Sequence, residues 1–462
     1  MYCNALILLF FIFFLTTWLV LLRRDLFLAS AYFMLYVYTC FSQIGYVNYP
    51  QLSEALHAYF GLAVFEHYLY FVWASFLCLF LVLVLVAPRL NATRVIHVQL
   101  RPPSFAAAVT LTFCVHAVEG YFLILYRDLV DYVAIAGDDY AADHGPGVVL
   151  WIMLFKYGTL LNIAVYCAFR QSRGTHGRAL LGFLFATGLG TCLTTAYHTG
   201  NRTDVLILTI GVAMFEFSQT FTERSLPRMK TVVAVGTLLV LGVIFMQRVE
   251  GARGSTNDGV SMVEQLISKD FYAPSHVLIG AIAHDYVDIG EVAKSNACNA
   301  LVLLNFPLLQ YHITELINPG VTTRKAGYAF YVFTEGYLAL GNCGFLYNGL
   351  VVGAGLAFWR LWSCTNSKAF NSFALALTTA MLANMARGQT SYFIKYSYMC
   401  FLPATALYCA LNGIQVRFTR LSRGRLQDVS RKSALPHNTA HGGLTTGMGA
   451  IHGQHRGVSV RR

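Results

Sequence analysis

Charge is what this sequence lacks. Lys, Arg, Asp and Glu together make up 12% of its 462 residues while apolar residues reach 56%; folded soluble chains run near a quarter charged, so a water-soluble domain of this length is excluded. No CxxC or paired-histidine spacing suggests a metal site or a thiol-redox centre. Most of the eleven cysteines fall inside apolar blocks, where they behave as small hydrophobes. Only Cys298 and Cys343 stand where a disulfide outside a membrane is conceivable, and no disulfide framework is expected. The first apolar block, 3–22, has no basic region before it and no small-residue cleavage site after it, so it reads as a retained helix.

What is present in abundance is long apolar runs. Stretches of bilayer-crossing length fall at about 3–22, 26–47, 67–87, 104–125, 148–169, 179–197, 203–220, 231–247, 338–360, 368–386 and 391–413. The sequence therefore predicts an all-α polytopic membrane protein with about eleven transmembrane helices. Every second connection is basic: Arg23 and Arg24, Arg89 to Arg101, Arg170 to Arg178, Arg224 to Lys230, and Arg360 with Lys368. The alternate connections are acidic, with Glu54 in one and Asp128 to Asp143 in another. By the positive-inside rule this gives an exterior N-terminus and a cytoplasmic C-terminus. Residues 248–337 then form one long exterior loop, with amphipathic stretches near 260–287 and 297–316 expected to lie on or dip into the membrane surface. The transmembrane domain is read as 1–414. The remainder, 415–462, reads as a disordered basic tail, its arginines opposed only by Asp428. The net charge of +11 sits mostly there, as an anchor to anionic lipid rather than a nucleic-acid arm.

Four arginines break the charge rule by falling on the exterior side: Arg202 in Gly200-Asn201-Arg202-Thr203-Asp204, Arg248 and Arg253 in Gln247-Arg248-Val249-Glu250-Gly251-Ala252-Arg253-Gly254, and Arg387 before Gly388. Forked guanidinium donors beside flexible glycines suit a phosphate or diphosphate. Snorkelling to headgroups, or pairing of Arg202 with Asp204 and Arg248 with Glu250, is the plainer alternative. A second constellation is Phe330-Tyr331-Val332-Phe333-Thr334-Glu335-Gly336-Tyr337, ending in Gly341-Asn342-Cys343-Gly344. A carboxylate at an apolar edge suits a proton acceptor, and flanking aromatics such as Tyr337 suit a sugar face. The alternative is a helix start capped by Thr334 or Glu335. Asp270, His276 and the His284-Asp285 pair are lesser candidates for substrate contact. Asp138-Asp139 reads as a solvated loop in preference to a metal pair, and no metal or cofactor is expected.

In the order and topology of these motifs, over roughly 190–400, the chain resembles the Wzy-type O-antigen and oligosaccharide repeat-unit polymerases and the related enterobacterial common antigen polymerases. The resemblance implies a GT-C-like fold and metal-independent glycosyl transfer at the periplasmic face of a bacterial inner membrane. Its substrates would be polyprenyl-diphosphate-linked glycans, with membrane lipids, a chain-length regulator and a flippase as partners and no nucleic acid. Arg202, Arg248 and Arg253 match the family's exterior arginines, and Glu335 and Tyr337 its glutamate-aromatic segment. Where the family has Asn-Phe-Gly, this chain has Ala339-Leu340-Gly341 followed by Asn342. On this reading the three arginines hold the leaving diphosphate, Glu335 is the leading base and Arg387 an outlying support. A ligase of similar build and a transporter of a lipid-linked or anionic substrate are the rival readings.

Overall fold

The computed structural model of the chain describes residues 2–48, 61–92, 97–100, 103–125, 146–172, 174–199, 202–223, 273–300, 309, 313, 315–316, 331–362, 365, 367–386, 388–412 and 414–417. Helices stand at ten of the eleven predicted spans; the stretch 231–247 lies outside the described residues. They are α1 (Tyr2–Arg24), α2 (Leu26–Asn48), α3 (Leu62–Ala92), α4 (Phe105–Leu125), α5 (Pro146–Gln171), α6 (Thr175–Thr199), α7 (Arg202–Glu223), the shorter α8 (Ala273–Ala283), α9 (Ile289–Ala300), α10 (Val332–Leu340), α11 (Gly344–Tyr347) and α12 (Gly353–Trp362), then α13 (Lys368–Met385), α14 (Tyr392–Tyr396) and α15 (Leu402–Asn412). Five-residue π-helical segments, Asn348–Val352 and Ser397–Phe401, join α11 to α12 and α14 to α15. Among the described residues, five stretches are long and apolar enough to cross a membrane: Ala5–Arg24, Leu62–Leu90, Phe105–Phe122, Thr175–Thr195 and Val332–Trp362. Large apolar side chains such as Leu85, Phe113, Ile124 and Phe183 point outward from these helices, a surface that water would not tolerate and lipid does. The chain is an α-helical membrane protein.

The stretch Val332–Trp362 is not one rod. In a straight helix Gly336 and Gly344 would stand about 12 Å apart along the axis. Instead a Cβ on Gly344 would lie 2.0 Å from the Gly336 carbonyl oxygen. Asn348 Nδ2 donates to Phe333 O at 3.0 Å and Tyr347 OH to Glu335 at 2.6 Å, so the two arms run antiparallel. The reversal is at Gly341, whose φ of 55° and ψ of −131° only glycine adopts without strain. Where a single span from 338 was expected, a first helix begins at Val332 and the second arm begins at Gly344.

Side-chain contacts order the arms along α3. Tyr337 packs on Phe71, Phe333 on Phe76, Asn348 bonds Ser75 at 3.0 Å, and Gly349 abuts Cys78. Thus α11–α12 runs parallel to α3, while α10 runs against it. At the other end of the bundle, the basic connections come together. Asp25, between α1 and α2, accepts from the Leu28 amide at 3.0 Å and pairs with Arg360 at 2.7 Å. The Arg170 guanidinium makes a two-pronged pair with Glu216, and Tyr166 donates to the same carboxylate at 2.8 Å. A two-stranded antiparallel ribbon that the sequence reading missed joins β1 (His97–Leu100) to β2 (Ile414–Arg417), with His97 opposite Arg417. Each strand alternates apolar and polar residues over only four positions, too short a run to stand out beside a 30-residue helix. The proposed boundary at 414/415 therefore falls inside β2, and the first compact unit runs to Thr419; residues 420–462 lie outside the described residues.

Candidate functional site

Glu335 is fully buried, and four donors converge on it. The Thr390 amide reaches Oε2 at 2.7 Å; Oε1 accepts from Tyr347 OH at 2.6 Å, from Asn296 Nδ2 at 2.5 Å and from the Thr390 hydroxyl. These donors come from three separate places: α9, α11 and the turn after α13. The turn is held at a second point, where the Val332 amide donates to Ala386 O at 3.1 Å. An annex of amides continues the network. Gln389 Nε2 donates to Ser295 Oγ at 3.0 Å, and Asn299 Nδ2 donates to Gln389 Oε1. No side-chain cap bond is made at the start of α10, so the capping role weighed for Thr334 or Glu335 is not the one this geometry gives them. Three donors crowd Oε1 while Oε2 holds the Thr390 amide, so the carboxylate ties α9, α11 and the turn after α13 together.

This carboxylate is not at the edge of the bundle. From its neighbours on α3, it lies roughly 15–20 Å along that helix from the Leu62 end, within the middle third of a helix about 45 Å long. Access to that level is made by α8 and α9, which form a hairpin. Its turn meets the Gly341 apex, where the Asp288 amide donates to Leu338 O at 2.8 Å. Asp288 caps α9 by accepting the Glu291 amide at 2.9 Å. From there α9 descends until Tyr398 OH donates to Ala300 O at 2.7 Å. Part of the predicted exterior loop thus folds back into the bundle.

Tyr337 turns its ring edge to Phe71 and donates to Asp285 at 3.2 Å; it is buried, and no broad aromatic face is left open for a sugar. Asp285 takes a left-handed φ of 46° at the hairpin turn, a conformation Asp tolerates better than most residues. His276 sits on α8, where burial pushes its pKa down to about 4, so its imidazole is neutral at neutral pH. Cys298 and Cys343 are both free thiols, the latter exposed at the apex.

Of the other predicted residues, Arg202 opens α7, but its side chain is outside what the structure describes, and Arg248, Arg253, Asp270 and Arg387 lie outside the described residues altogether. Ala386 and Gly388, on either side of Arg387, are described and buried. Two cations the sequence reading missed stand over the tyrosines of α14, the helix that follows this turn. Lys395, one helical turn beyond Ser391, lies over the Tyr392 ring at 5.7 Å, and Lys156 of α5 lies over Tyr396 at 5.8 Å. The two tyrosine rings are neighbours at 5.2 Å. The available signal was a lysine inside each of two apolar runs, where a charge is costly and usually functional. Among the described residues, no three His, Cys, Asp or Glu side chains gather as a metal site. No protein-family model, no curated protein and no solved structure matches the chain.

Proposed function

We propose that the chain is a metal-independent glycosyltransferase of the inner membrane that polymerises polyprenyl-diphosphate-linked oligosaccharide repeat units at the periplasmic side, through a bundle of about eleven spans. One observation carries the reading: the two motif segments 330–344 and 384–391, far apart in sequence, close on each other around Glu335, with Lys156 and Lys395 beside them. Cations next to a desolvated, amide-rich cluster suit a diphosphate that gains charge as it leaves. The amides of Asn296, Asn299 and Gln389 suit the hydroxyls of an acceptor sugar. In this mechanism the acceptor hydroxyl attacks the anomeric carbon, the bond to the diphosphate breaks, and the hydroxyl proton passes to a base. Glu335, engaged by four donors, positions Tyr347, Thr390 and Asn296 instead of taking that proton. Arg202, Arg248, Arg253 and Arg387 would add to the cationic side.

A transporter of an anionic or lipid-linked substrate is the second reading. It is favoured by a buried carboxylate well inside the bundle and by helices interrupted at Gly341 and at 386–391. Purified protein in liposomes with a lipid-linked repeat unit separates the two. Longer lipid-linked products that diminish at least tenfold in K156A and K395A support the transferase, whereas substrate movement without new glycosidic bonds supports the transporter. Transfer of finished polymer to a lipid A core acceptor in the same vesicles would instead identify a ligase.

A further inference from the structure

A second buried polar group lies in a different part of the bundle, among α4, α5 and α6. His116 Nδ1 and Glu119 Oε2 on α4 are 2.6 Å apart, with side chains 11% and 1% exposed. His116 Nε2 is 3.3 Å from Asn162 Oδ1 on α5. Room for this triad is made by two glycines. A Cβ on Gly158 of α5 would stand 1.7 Å from Glu119 Oε1, and one on Gly188 of α6 would stand 1.9 Å from Asn162 Oδ1 and 2.7 Å from His116 Nε2. Glu119 Oε1 and Asn162 Nδ2 are both buried without a hydrogen-bond partner. The charged and titratable groups that reach the triad from neighbouring elements are Asp204 on α7 and Cys192 on α6, the latter bonded to Thr159 of α5 at 3.7 Å. On α4 itself Cys114 is exposed and turned away.

We propose that His116, Glu119 and Asn162 form a proton-binding site inside the helix bundle, separate from the Glu335 site. Asn162 Oδ1 fixes the imidazole by accepting from Nε2–H, so Nδ1 faces the Glu119 carboxyl group. One proton serves that contact. It rests on Oε2 and donates to Nδ1, or it moves to Nδ1 and leaves an imidazolium–carboxylate pair; either way the triad is neutral. A carboxylate left alone among apolar side chains would cost several kcal/mol, which is the reason the proton stays. Loss of the proton to water leaves a net negative charge beside Asp204, and gain of a second leaves a net positive one, so the occupancy responds to the proton concentration. The two glycines leave the space that lets three helices come this close to the pair.

The test is an infrared pH titration of the full-length protein in lipid nanodiscs. A protonated-carboxyl band should grow on acidification, shift in heavy water and vanish in E119Q. In H116A the carboxyl group loses its proton partner, so the midpoint of the band should rise by at least about one pH unit. N162A, which frees the imidazole, should shift the same midpoint without removing the band, and it serves if E119Q does not fold. G158A should displace the carboxylate and alter the band position. A titration identical in wild type, E119Q and N162A would overturn the proposal, as would an H116A midpoint that does not rise. None of these readouts depends on whether the protein makes glycosidic bonds.

Discussion

Replacing Glu335 by Gln separates a positioning carboxylate from a catalytic base. The change keeps the shape and removes the charge. In its best orientation the new side-chain oxygen still accepts from Asn296, Tyr347 and the Thr390 hydroxyl, but each of these bonds falls from charge-assisted to neutral, a loss of about 1 kcal/mol apiece. The new amide then faces the Thr390 N–H, donor against donor, and leaving those groups unpaired adds about 1–3 kcal/mol each. Removal of a buried charge returns several kcal/mol of desolvation, leaving a net destabilisation of order 2–4 kcal/mol. The assay is thermal unfolding of the purified protein in detergent, read by a thiol-reactive fluorophore that meets buried Cys167 and Cys400 only after the bundle opens. E335Q should expose them at a clearly lower temperature, and E335A, which orphans all four donors, at a lower one still. An E335Q protein that melts like wild type yet makes no product would refute the reasoning and return Glu335 to the role of base.

Gly344→Ala should be among the most damaging small substitutions, because the added methyl meets backbone atoms of Gly336 and Tyr337 that cannot swing aside; a loss of about 1–3 kcal/mol or more is expected in the same melting assay, and Gly190→Ala, which meets nothing, is the control. Cys343 at the apex should react quickly with a membrane-impermeant maleimide in sealed vesicles of one orientation and not the other, while Cys400 should stay protected in both. For His276 the unfolded pKa is near 6.5 and the folded value about 4. The unfolded chain therefore binds more protons between those values, and stability should rise with pH across that window by up to about 1.4 kcal/mol per unit. H276Q should flatten that part of the profile, measured as melting temperature from pH 4 to 7.

The helices were legible because apolar runs of bilayer length admit few other structures. The alternation of basic and acidic connections likewise anticipates that Asp25 and Arg360 stand at one end of the bundle, as their ion pair requires. The reversal at Gly341 was not legible: α10 and α11–α12 together have the hydropathy of a single span, and a lone glycine with a positive φ decides the difference. For the same reason Glu335 looked like an edge residue, when its level is set by contacts to α3 more than 250 residues earlier. Glu335 itself stood out as an acid among aromatics, but three of its partners are Asn, Thr and Tyr, side chains too common to signal a site before the fold gathers them. His116 and Glu119, an i, i+3 pair inside a span, carried a signal that hydropathy alone averaged away.

The β1–β2 ribbon bears on how the protein is made. Its first strand leaves the ribosome roughly three hundred residues before its mate, and in the interval most helices must be inserted one after another with that strand edge unpaired. The clasp can close only once Ile414–Arg417 has been made, with the Ser104 amide meeting Leu411 O beside it. A chain cut short before Ile414 would keep every helix described here and still display an open strand edge, free to pair with another chain.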